Sequence, residues 1–236
     1  MKLTAKLTAN LSAVGIAALL GAGLAAPANA APAPTTLEAA KKITIARIDG
    51  RLAALKVEQV AVHNAARLTD GHRSTLNGIL DHDLKGLTDL RSKVQNETTL
   101  EAIKADAQSM INDYRVYLLV GPQVRITIAA DVEAAAGNTL EKAYNALAAA
   151  IDAAEKAGKD VAAAKAKLAE MRSHLDTAKS TLNGVADALL AVQPGPDGPA
   201  IQAQVNAART KVKTVRGELR AAAAAAKACR DLLKAL

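Results

Sequence analysis

Four histidines, His63, His72, His82 and His174, and one cysteine, Cys229, are the residues best suited to metal binding or nucleophilic chemistry in this chain. Their spacing favours neither. Asp81-His82-Asp83 is the one tight group that joins an imidazole to carboxylates. Adjacent side chains on a helix point about 100° apart, so the three cannot converge on one ion. One turn further on, His82 meets Gly86, which offers no ligand. The triplet therefore reads as an exposed polar face. Ser, His and Asp all occur, but no G-x-S-x-G, H-E-x-x-H or phosphate-cradling glycine loop does. No catalytic, metal-ligating or cofactor-binding residue is expected, and the chain reads as a non-enzyme. Cys229 falls on the apolar seam of a helix, where a small thiol packs well. A single cysteine has no internal partner, so a disulfide between two chains is the alternative.

The other chemistry on offer is electrostatic. From Pro199 onward Arg209, Lys211, Lys213, Arg216, Arg220, Lys227, Arg230 and Lys234 stand against only Glu218 and Asp231. Lys213, Arg216, Arg220, Lys227, Arg230 and Lys234 each follow a seam residue by one position. They form a basic strip that suits an anionic cell-wall polymer or a membrane surface. The plainer reading is a solvated flank, with cations also favoured near a helix C-terminus. No aromatic side chain accompanies the strip, which speaks against nucleic acid, whose bases stack on aromatics.

Composition narrows the scaffold. The chain has 236 residues, no Phe or Trp, and three tyrosines, Tyr114, Tyr117 and Tyr144. Alanine dominates. Long helices packed closely along their length use such a composition; a thick core does not. Bulky pocket-lining side chains are scarce, so an apolar small-molecule pocket is not expected. The formal charge of +7 is mild and needs no polyanionic partner.

Residues 1–30 carry the three-part pattern of a secretory signal peptide. Lys2 and Lys6 form the positive start, Leu11 to Leu24 the apolar core, and Ala28-Asn29-Ala30 the small-residue cleavage site. The mature chain then begins at Ala31. No second long apolar segment follows, so a secreted or envelope-associated chain with no transmembrane segment is expected.

The helices follow from a three-four apolar step. From Val161 to Val192 that step gives Val161, Ala164, Leu168, Met171, Leu175, Ala178, Leu182, Val185, Leu189 and Val192, a coiled-coil-like seam. Thr35 to Glu38 reads as a capping box with Thr35 as N-cap. Leu76, Leu80, Leu84, Leu87, Leu90 and Val94 mark a second helix behind Thr69, and Leu100 to Tyr117 a third. Gly121-Pro122 is the strongest interior break, or else a kink within one rod. Pro194 to Pro199 is a turn that no helix crosses. The expectation is an all-α fold of long antiparallel helices in one or two three-helix bundles. The first bundle would cover residues 31–121 and the second residues 122–236. Ser74-Thr75-Leu76-Asn77-Gly78 recurs as Ser180 to Gly184, and in both copies the apolar step runs through Asn-Gly, predicting a locally weak helix. The two tyrosines ahead of the break are expected to pack the thickest part of the core.

Asp106-Ala107-Gln108-Ser109-Met110, Tyr114-Arg115-Val116-Tyr117 and Ala129-Ala130-Asp131, behind an A-x-A signal, resemble secreted Ala-rich helical proteins of unknown function from high-GC Gram-positive bacteria. That resemblance implies a fold and no activity. Leu68-Thr69-Asp70-Gly71-His72 resembles the Leu-Thr-x-x-Gln helix starts of periplasmic Spy-like chaperones, with His72 in place of the Gln. It implies a holdase, although length and pattern depart elsewhere. The functional expectation is an exported structural or interaction protein of the cell envelope or extracellular space. Its partner would be an anionic envelope polymer or surface, or another envelope protein.

Overall fold

The computed structural model describes residues 36–236, and the export signal read over residues 1–30 lies outside them. All regular structure among the described residues is helical, as the apolar periodicity requires. The helices are α1 (Leu37–Asn64), α2 (Asp70–Asn96), α3 (Leu100–Asn112), α4 (Gly121–Lys156), α5 (Ala162–Leu182), α6 (Val185–Leu190) and α7 (Gly198–Lys234). A π-helical turn, Val116–Val120, runs directly into α4.

Local chemistry sets the ends. Thr36, one residue later than the expected Thr35, caps α1 by accepting from the Ala39 amide at 3.2 Å. Thr69 and Thr99 do the same for α2 and α3, each binding the amide three residues on. Asp197 caps α7 with Pro199 in its first turn.

Two breaks fall elsewhere than the sequence suggests. The chain is helical through Gly121-Pro122, and the interruption lies at Arg115, held left-handed at φ 43° and ψ 37°. The π turn that follows is wider than an α-turn, and this gives the Pro122 ring room one turn later. The expected single rod from Val161 to Val192 is broken at Asn183-Gly184, where Gly184 sits at φ 66°. The seam survives that break: Val185, Leu189 and Val192 are buried like Leu168 and Met171 before it.

Three buried clusters make up the core among the described residues. One joins Ile48 and Leu55 of α1 to Leu80 and Leu87 of α2, with Met110 and Val124. A central one joins Leu119 and Ile126 to Val185 and Leu189 of α6 and Ile201 and Val205 of α7. The third joins Leu147 and Ile151 to Met171 and Leu175 of α5 and Leu219 and Cys229 of α7. α4 contributes to all three, Val124 to the first, Ile126 to the second and Ile151 to the third. Of the tyrosines ahead of α4, only Tyr114 is partly buried. Tyr117 is 59% exposed, with the Arg51 guanidinium 5.2 Å from its ring centre, so it does not fill the core as expected.

Candidate functional site

The buried polar groups carry more information than the exposed ones. Among the described residues five carboxylates are buried: Glu58, Asp83, Asp106, Asp131 and Glu133. Each lies on an apolar seam in place of a hydrophobe. A buried carboxylate is costly unless something compensates its charge. Four have compensation. Arg125 donates to Glu58 at 2.5 Å, Lys93 to Asp106 at 2.6 Å and Arg216 to Glu133 at 2.6 Å. Asp131 accepts from the Thr69 amide at 2.7 Å and faces the His72 Nδ1 at 2.9 Å. The other face of that imidazole meets Asp187 of α6 at 3.2 Å. Burial alone would lower the His72 pKa, but hydrogen bonding and charge from Asp131, then Asp187, raise it on balance.

Asp83 has no such partner. It is 4% exposed, its Oδ2 has no hydrogen bond, and burial alone pushes its pKa up to about 7. This overturns the expectation that Asp81-His82-Asp83 is wholly an exposed polar face. Asp81 and His82 are exposed, and Asp81 accepts from Gln59 at 2.9 Å, but Asp83 turns inward. The true seam of α2 is Leu76, Leu80, Asp83, Leu87, Leu90 and Val94, all buried, whereas Leu84 is only partly so. A carboxylate at a strict four-three position was the signal in the sequence. Leu84 masked it by offering an apolar residue one place along.

Asp83 lines a cleft of about 410 Å³. Buried Leu119 and Val120 of the π turn, Leu190 of α6 and Val192 form its apolar lining, and exposed Thr75, Gly78 and Gln193 lie at its rim. Tyr114 forms another part of the wall. Gly86 permits this, because a Cβ there would come within 2.5 Å of the Tyr114 hydroxyl. Gln123 donates from its amide to the Leu189 and Val192 carbonyls at 2.9 and 3.1 Å, closing the end of α6. Arg115 donates to the Gly195 and Pro196 carbonyls at 2.8 and 2.9 Å, fixing the loop that supplies Gln193 and Pro194. The left-handed turn, the π turn and the broken rod thus meet at one place. A second cleft, about 370 Å³, opens between α4, α5 and α7 beside Gly137, Arg172, Asn183 and Leu219. Both concavities depart from the expected slim, pocket-free bundle, and both lie where a helix is interrupted or thinned.

The basic strip of α7 divides into two sets. Arg216 turns inward to Glu133, and Arg230 is largely covered, with Asp231 3.5 Å away. Lys213, Arg220, Lys227 and Lys234 are exposed, and only Lys227 has an ion-pair partner among the described residues, Asp231 at 3.2 Å. These four recur every seven residues, so they form one row along about 30 Å of the helix. Cys229 is fully buried in the core and its thiol is pushed up by burial. No group of three or more His, Cys, Asp or Glu side chains among the described residues could hold a metal ion. No helix among them is long and apolar enough to cross a membrane.

Comparison with protein-family models, with curated proteins and with solved structures finds no match for this chain.

Proposed function

We propose that the protein is an exported, non-enzymatic helical protein that acts by surface contact in the cell envelope or outside it, and that α7 is its contact surface for an anionic partner. The observation that carries this reading is the row of Lys213, Arg220, Lys227 and Lys234, exposed at seven-residue intervals on a 37-residue helix. A row of that length meets a repeating anion at several points at once, and each contact adds to the on-rate and to the affinity. Without aromatic side chains the row favours phosphate or carboxylate groups over nucleobases. The chaperone-like helix start supports a holdase less well, because the Thr69 amide and the His72 ring are committed to Asp131 inside the fold.

The test is cosedimentation of the mature chain with vesicles rich in phosphatidylglycerol and, separately, with a phosphate-bearing wall polymer. Binding is expected at low salt and should fade once the screening length falls below about 10 Å. The quadruple variant K213Q/R220Q/K227Q/K234Q should lose most of it. Binding that ignores salt, or that the variant retains, would sink the reading.

A further inference from the structure

We propose that the cleft beside Asp83 binds an organic ammonium, with the ammonium on the Asp83 carboxylate and an alkyl body against the π turn and α6. The argument begins from the contrast among the five buried carboxylates. Glu58, Asp106 and Glu133 each have a cation of this chain within 2.6 Å, and Asp131 has an imidazole and a backbone amide. Asp106 also leaves its Oδ2 unbonded but holds Lys93 on Oδ1, and Glu133 also lines a cleft, the one beside Gly137, but is already paired with Arg216. Among the five, Asp83 alone lines a cleft large enough for a small molecule with no cation or hydrogen-bond donor of this chain on its carboxylate. The missing partner therefore comes from outside the chain.

The chemistry of the cleft selects the ligand. Leu119, Val120, Leu190 and Val192 offer apolar surface to a short alkyl chain. The Gln123 amide nitrogen is held by two carbonyls, which leaves its carbonyl oxygen as a second acceptor in the lining. An ammonium supplies three donors to such acceptors, whereas an anion would meet the carboxylate. A metal ion would find too few ligands. Folding has already removed Asp83 from water, so on binding only the ligand's own charge has to be desolvated. The titratable and charged groups near the carboxyl are few. His82 of α2 stands at the rim and Tyr114 in the wall, while Asp113, Asp89 and Lys85 act around Tyr114. α4 and α6 contribute only neutral side chains to the lining.

Hexylammonium chloride is a suitable probe, with 1-hexanol and hexanoate of the same length beside it. Calorimetry on the full mature chain should give saturable binding of hexylammonium about tenfold or more tighter than of hexanol, and none of hexanoate. Asp83→Asn should bind hexylammonium and hexanol alike while keeping its helical circular dichroism. Independently of any variant, saturating hexylammonium should lower the Asp83 carboxyl titration seen by NMR from about 7 in the free chain. The inference is overturned if hexylammonium does not bind saturably, if hexanol binds as well to the unaltered chain, if Asp83→Asn keeps the preference, or if the titration does not move. None of these outcomes bears on α7, whose exposed row is a separate surface.

Discussion

At the scale of single residues, the fold is marked by where it places charge. Each buried carboxylate substitutes for a hydrophobe on a seam, and four of the five gain a compensating partner there. Asp83 does not, and this has a pH consequence of definite sign. Its carboxyl titrates at about 7 in the folded chain and near the ordinary aspartate value of 3.8 when unfolded. The folded state therefore holds its proton more tightly, and stability falls as pH rises from about 4 to above 7. Asp83→Asn removes that loss. The variant should be more stable than the natural chain by about 1–3 kcal/mol at about pH 8, and no more stable near pH 4, where Asp83 is neutral in both states. Urea denaturation at the two pH values checks this. Cys229 belongs to the same scale: buried in the third cluster, it is expected to give no dimer band on a non-reducing gel.

At the scale of helices, one pentapeptide adopts two structures. Ser74 to Gly78 lies unbroken inside α2, while Ser180 to Gly184 ends α5 and turns the chain into α6. Intrinsic propensity is identical in the two copies, so the surroundings decide. After Gly184, the turn lets α6 present Leu189 and Val192 carbonyls to Gln123, and Asp187 to His72. Beyond Gly78 the unbroken helix already sets Asp81 against Gln59 and buries Leu80 and Asp83, so nothing favours a turn there. Alanine substitution should therefore act with opposite signs. Gly78→Ala, with nothing within 4 Å of the added Cβ, should stabilise by about 1 kcal/mol. Gly184→Ala, forced to φ 66°, should destabilise by about 1–2 kcal/mol. Thermal melts of the two single variants separate these outcomes.

At the scale of the whole molecule, α4 strings the three clusters together, and the Asp131 group ties its middle to the start of α2 and to α6. The raised His72 pKa means that this tie is strongest with the imidazole charged. Its contribution is complete below the ordinary histidine value of 6.5 and is lost as pH climbs through the raised one. Asp131→Asn should lower stability by about 2 kcal/mol or more at about pH 6, because a buried acceptor for the Thr69 amide and the imidazole is weakened. It should also flatten the decline of stability as pH rises above the ordinary histidine value of 6.5, measured by chemical denaturation.

Periodicity alone was enough to specify an all-helical chain, the α7 seam from Ile201 to Cys229, and the α5 seam from Val161 onward, because a three-four apolar step has one regular structure that buries it. The cap at Thr69 was equally plain, since its hydroxyl acts on an amide three residues away. The Asn-Gly pairs marked a weak point in both copies of the pentapeptide, but which of them breaks, and the break at Arg115, were not legible in that way, because long-range bonds to Gly195, Pro196 and the end of α6 stabilise them. Nor was the cleft, which arises only where these distant interruptions come together. Asp83 stood in plain sight on its seam, yet whether a seam acid is paired or alone depends on which cation the neighbouring helices bring within reach, and short-range spacing carries no record of that.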